Sequence, residues 1–236
     1  MYFPGLYIDE GYILVLFGVV LSLIASAGVN NAFSKYSKIR NMRGITGAEA
    51  AERVLHSAGI YDVRIERVRG NLSDHYDPRS KVLRLSEGVH DQATVAAVGI
   101  ASHECGHAIQ HAQGYAPLQL RSVLVPVANF GSKIAWPLIL IGLLFSRESS
   151  IIFIYLGIFA YLAAVLFQVI TLPVEFNASR RAIQMIEQNA MLQEGEMKGT
   201  KKVLRAAALT YVAAALTSIL QLVRIFLLAG GRRRND

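Results

Sequence analysis

The segment that most constrains the fold is a run of 26 uncharged residues between Glu148 and Glu175, centred on IIFIYLGIFAYLAAVLFQVITL. A helix rises 1.5 Å per residue and needs about 20 apolar residues to cross a hydrocarbon core of roughly 30 Å, so residues 149–172 are predicted to span a membrane. A second run, 24 uncharged residues between Glu10 and Lys35, predicts another span over residues 11–29. It follows Asp9 and Glu10 instead of a basic segment, so it reads as a retained helix and not as a cleaved signal peptide. Composition agrees with both: 53% of the residues are hydrophobic and only 17% charged, which excludes disorder and argues against an ordinary soluble enzyme. The lone Cys105 excludes an intramolecular disulfide framework.

Two further segments are apolar but interrupted. Residues 122–146 carry Lys133, Pro126, Asn129 and Pro137, which predicts either a kinked span or a helix that begins in the interface. Residues 206–230 contain Thr210, Thr217, Ser218 and Gln221, a polar stripe expected to face other helices or an aqueous cavity. This last segment reads as a fourth span or as a re-entrant helix.

The cations give an orientation. Of 24 Lys and Arg residues, twelve lie between Asn31 and Ser122 and six between Pro173 and Ala206, while none precedes the first span. By the positive-inside rule both stretches are cytoplasmic and the N-terminus is outside, which requires two spans between them. Arg232, Arg233 and Arg234 run against this, either because the last helix does not fully cross or because eighteen charges outweigh the tail. The same distribution accounts for the net charge of +7 without a nucleic-acid partner. A transporter would hold ionisable groups at mid-membrane, where only Lys133 and Arg224 approach, and both can snorkel.

Residues 31–117 are predicted to form a small cytoplasmic unit. Thr46 and Glu49 have the spacing of a capping box and Gly59 the place of a C-terminal glycine, predicting a helix over about 47–58. YDVRIERV and KVLRLS alternate apolar and polar residues around the turn-rich GNLSDHYDPRS, predicting a small antiparallel pair whose strand 81–86 could offer an edge to an extended substrate. Residues 91–113, rich in Ala and Val, read as one buried helix ending at Gly114.

That helix carries His103-Glu104-Cys105-Gly106-His107, a complete H-E-x-x-H. Histidines four residues apart share a helical face and can occupy two corners of a zinc tetrahedron, with the intervening Glu104 placed to hold the attacking water as general base. Catalytic zinc takes a third protein ligand and keeps one position open. Glu175, in PVEFNASRRA just after the span 149–172, is the leading candidate, with Pro173 expected to open a new helix there; Glu187 and Asp91 are alternatives, and a plain first-turn carboxylate is the bland reading. His111 lies about 12 Å along the axis from His103, too far to share its metal. Cys105 points to the opposite side of the helix and reads as core.

AVGIASHECGHAIQH, the upstream NLSDHYDPRSKVLRLS and the downstream LPVEFNASRRA together resemble the bacterial neutral zinc metallopeptidases of the YugP-like membrane family, over nearly the whole chain. The resemblance implies a gluzincin-like peptidase with one Zn2+ per chain, His103, His107 and Glu175 as its ligands and Glu104 as catalytic base. A wider similarity is to HtpX-type membrane peptidases, whose third-ligand helix reads E-x-x-x-D. Here the last position is Ser179, so Asn177, Ser179 or another group is expected to orient a ligand histidine.

The expected fold is therefore mainly α and integral to the membrane. It is a bundle of three or four transmembrane helices with a small α+β zincin-like subdomain, read as one metallopeptidase domain over residues 1–236 with a third-ligand helix and loop over 173–205. The expected reaction is peptide hydrolysis in a bacterial plasma membrane, facing the cytoplasm, on membrane-associated or apolar polypeptides. His75, Tyr76 and Arg180 are candidate oxyanion donors. The competing expectation, a non-proteolytic membrane protein with a structural zinc, would call for four protein ligands, commonly cysteines, and this chain offers a single Cys on the far side of the helix.

Overall fold

The structure, a computed structural model, describes residues 11–70, 72–144 and 151–232, the last three of them by backbone only. The expectations drawn from Asp9, Glu10 and the side chains of Arg232, Arg233 and Arg234 lie outside what is described. The described residues fall into two compact units. One contains residues 11–24, 120–144, 151–171 and 211–232; the other contains residues 25–70, 72–119 and 172–210.

Among the described residues four helices are long and apolar enough to cross a membrane: Gly11–Tyr36, Ala116–Leu144, Ile151–Gln188 and Glu194–Ala229. They are α1 (Gly11–Tyr36), α5 (Ala116–Leu144), α6 (Ile151–Gln188) and α7 (Glu194–Arg232). A bilayer leaves backbone N–H and C=O groups no water to pair with, so apolar sequence of this length satisfies them within a helix.

In the first unit, α1 carries Leu16, Phe17 and Leu23 well exposed, as a lipid-facing surface requires. Of the polar stripe on α7, Thr217 faces another helix, as expected. Thr217 Oγ1 lies 3.0 Å from the Gly18 carbonyl oxygen of α1 and 3.2 Å from Ser22 Oγ. Ser218, and Thr210 in the second unit, return their hydroxyls to carbonyls of α7 itself, those of Ala214 and Ala207. Pro126 and Pro137 both lie inside a continuous α5, so the interrupted segment is one helix.

The second unit is built on α2 (Gly47–Ser57), a three-stranded sheet and α4 (Val95–Ala112). The capping box forms as predicted: Thr46 Oγ1 accepts from the Glu49 amide at 3.2 Å, and Glu49 Oε2 accepts from the Thr46 amide at 2.9 Å. Two orphan amides are thereby satisfied. Gly59, at φ +73°, turns the chain out of the helix.

Three local expectations are corrected. Strands β1 (Arg64–Val68), β2 (His75–Asp77) and β3 (Val82–Ser86) lie in the order β1-β3-β2, with β1 parallel to β3 and β2 antiparallel to it. The two alternating segments therefore pair in parallel, and β3 is central. Its neighbour β2 forms an edge, because the turn-rich stretch supplies a strand of its own that occupies the free side of β3.

The site helix begins at Val95 and not at Asp91. After the short α3 (Glu87–His90), the chain is extended: the Asn41 amide donates to the Ala93 carbonyl at 3.0 Å and the Val95 amide to the Ile39 carbonyl at 2.9 Å. Those bonds hold residues 93 and 94 out of helical geometry, and Thr94 caps the Ala97 amide at 3.2 Å. Third, Pro173 starts no helix; it sits within the unbroken α6. Membrane helices accommodate an interior proline at the loss of one amide bond.

The core of the second unit joins Leu55 of α2, Leu83 and Leu85 of β3, Val98 and Cys105 of α4, and Ile186 of α6. Each such aliphatic side chain contributes roughly 1.5–3 kcal/mol by leaving water. Cys105 is wholly buried among them, as expected of a core residue.

Candidate metal centre

Helical periodicity sets the site. His103 and His107 stand one turn apart on α4, with ring centroids 5.0 Å apart and planes at 84°. Glu175 enters from α6 and is 2% exposed. Its Oε2 lies 3.3 Å from His103 Nε2 and 3.7 Å from His107 Nε2, and one ligand atom from each of the three falls within 4.8 Å of the others.

These separations fit zinc. Bonds of 2.0–2.2 Å arranged tetrahedrally put neighbouring donor atoms about 3.4 Å apart. Two imidazole nitrogens and one carboxylate oxygen are also the donor set of a catalytic site, with one corner left for water or substrate.

Close helix packing makes the convergence possible. A Cβ on Gly106 would come within 2.6 Å of the Ala178 carbonyl oxygen and 3.0 Å of its Cα. The backbones of α4 and α6 thus meet at the one glycine inside H-E-x-x-H. Ala178 and Ala182 of α6 are completely buried.

Around the trio lies a set of oriented polar groups. Ser179 Oγ is 3.1 Å from His103 Nδ1, so of the groups expected to orient a ligand histidine it is Ser179 that meets His103. Gln110 Oε1 is 3.0 Å from His107 Nδ1. Gln110 Nε2 donates to the Val174 carbonyl at 2.8 Å and to Asn177 Oδ1 at 3.0 Å. Arg181 Nε donates to the same Asn177 oxygen at 2.7 Å, and Arg181 Nη1 to Gln113 Oε1 at 2.6 Å.

Glu104 is half-buried. Burial pushes its carboxyl above the usual carboxylate range, opposed by the neighbouring His103 and His107 and reinforced by the charges of Glu175 and Asp74. Its basicity is thereby raised.

The structure brings together His103, His107 and Glu175. Asp91 pairs with Arg67 at 2.6 Å, and Glu187 pairs with Lys201 at 3.0 Å, so neither alternative third ligand joins the histidines. His111 accepts or donates a 2.9 Å bond with Tyr76 Oη. His75 is exposed with Nδ1 2.8 Å from the Ser73 carbonyl, and Arg180 is exposed. Gln110, completely buried, was not among the residues expected at the site. Its signal in the sequence is a bulky amide three residues past His107 and seven past His103, on the same helical face as both.

A family model described as "Putative neutral zinc metallopeptidase" matches residues 11–230. The chain belongs to the neutral zinc metallopeptidase family. It is also 48% identical over 223 residues to the "Putative membrane protease YugP" of Bacillus subtilis (strain 168), covering 94% of this chain and 98% of that protein. No solved structure matches it. With four apolar helices, this is a membrane protein of a zinc metallopeptidase family, as the resemblance in the sequence implies.

Proposed function

We propose that this chain is a membrane-embedded zinc metallopeptidase that cleaves peptide bonds with Glu104 as general base and one zinc held by His103, His107 and Glu175. The observation that carries the reading is the meeting of Glu175 Oε2 with both histidine Nε2 atoms at 3.3 and 3.7 Å. Zinc in such a site lowers the pKa of water toward neutrality and polarises a carbonyl.

The protein's own groups supply the rest. Glu104 accepts the proton of the attacking water and delivers it to the leaving amine. Tyr76 is the donor we assign to the developing oxyanion. Its hydroxyl is bonded to His111, four residues past His107 on α4, and burial, with the charges of Asp62 and Asp77, lifts its phenol to about 12, so it keeps its proton at neutral pH. Among the described residues β2 is an edge strand, and an extended substrate can add to it through main-chain hydrogen bonds.

The Lys and Arg distribution orients the second unit toward the cytoplasm of a bacterial plasma membrane. Only three residues along the chain separate the end of α4 at Ala112 from the start of α5 at Ala116, which favours membrane-associated or apolar polypeptides as substrates. The test compares membrane-associated proteins cut in cells carrying wild type and Glu104→Gln. Cleavage should vanish in the variant while zinc is retained; cleavage that persists would remove Glu104 from its role.

A further inference from the structure

The polar groups behind His107 form a chain whose direction is fixed by residues that can act in only one sense. Arg181 carries donors and no acceptor. The Asn177 atom that meets Arg181 Nε at 2.7 Å must therefore be its oxygen. That oxygen also faces Gln110 at 3.0 Å, so Gln110 presents its nitrogen there. The Val174 carbonyl, an acceptor only, demands the same nitrogen at 2.8 Å from a second direction. Gln110 then has its oxygen left for His107, and the 3.0 Å contact to Nδ1 requires a proton on that ring atom. In the neutral ring a proton on Nδ1 leaves Nε2 as the lone pair, and Nε2 is the atom that faces Glu175.

We infer that Gln110 is a positioning residue that holds His107 in the Nδ1–H tautomer, its amide locked by the Val174 carbonyl and by Arg181 acting through Asn177. The inference rests on the zinc reading of His107, Nε2 being the ligand atom. It differs from what holds His103. A hydroxyl can donate or accept, so Ser179 orients that ring without dictating which nitrogen carries the proton. The chain thus fixes which nitrogen of one ligand carries the proton and leaves that choice for the other to the metal. Gln110 is completely buried, so its amide is shielded from water that could satisfy either sense.

The test uses the full chain in detergent micelles, stripped of metal, labelled with 15N-histidine and held at a pH where the rings are neutral. The His107 ring signals are assigned by their loss in His107→Gln. Wild type should show Nδ1 protonated and Nε2 bare. An Nε2–H tautomer in wild type would overturn the inference and needs no variant to be seen. Gln110→Leu should give mixed tautomers and weaken zinc binding, read by chelator competition, 10- to 100-fold. Gln110→Glu, which keeps an acceptor for Nδ1–H, should restore the single tautomer. A folded Gln110→Leu with the wild-type tautomer and zinc affinity would also overturn it. A wild-type chain with the pinned tautomer that takes up no zinc would support the relay and count against the metal reading instead.

Discussion

Ser179 lies four residues after Glu175 on α6, and its Oγ meets His103 Nδ1 at 3.1 Å. One turn of helix thus delivers the candidate third ligand and the group that steadies a first ligand. Removing the hydroxyl should loosen the ring. Ser179→Ala is expected to weaken zinc binding about 10-fold, toward the low end of what outer ligand partners contribute. Ser179→Asp should bind at least as tightly as wild type, since a carboxylate accepts the same N–H more strongly. Equal zinc affinity in wild type and Ser179→Ala, by competition with a chelator, would show that the hydroxyl orients nothing.

Gly106→Ala tests whether close helix packing builds the site. The new methyl would meet the Ala178 backbone at 2.6 Å, so the helices must separate. Overpacking of this kind costs about 1–3 kcal/mol, and the shift draws His107 away from Glu175. Lower thermal stability and lower zinc content should appear together. Gly28→Ala is the control, since nothing lies within 4 Å of its Cβ position. A Gly106→Ala protein as stable and as zinc-rich as that control would show that the helices have room.

Asp77 gives a pH-dependent prediction at the β2–β3 turn. The Ser80 hydroxyl at 2.6 Å and the Arg79 amide at 3.0 Å hold its carboxyl down at about 2, from an ordinary 3.8. A depressed carboxylate stabilises the fold above its ordinary value, and that stabilisation is lost as pH falls from 3.8 through about 2. Denaturant titrations at a series of pH values in that window should show wild type losing more stability on acidification than Asp77→Asn. Identical slopes would mean that the turn contacts do not favour the charged form.

Much of this architecture was legible in the sequence for physical reasons. Long uncharged runs have one solution in lipid, and a four-residue spacing places His103 and His107 on one face whatever surrounds them. Thr46 and Glu49 reported their cap because the bonds close within one turn. What escaped depends on partners distant in the chain. The direction of β1 beside β3 is set by β2 taking the free side of β3, and no local alternation encodes it. The late start of α4 follows from bonds to residues 39 and 41, more than fifty positions away. Gln110 was overlooked for the same reason, because its amide is fixed by Val174 and Asn177 on another helix. Pro173 misled in the opposite way: a strong local preference for a first-turn position yielded to a helix already committed by the apolar residues before it.

The central claim is that Glu175 completes the zinc site, and metal content of the purified chain tests it most directly. Wild type should carry one zinc per chain, Glu175→Ala far less, and Glu187→Ala, whose carboxylate pairs with Lys201, as much as wild type. Full zinc occupancy in Glu175→Ala would contradict the account, because the two histidines would then be sharing their metal with some other group.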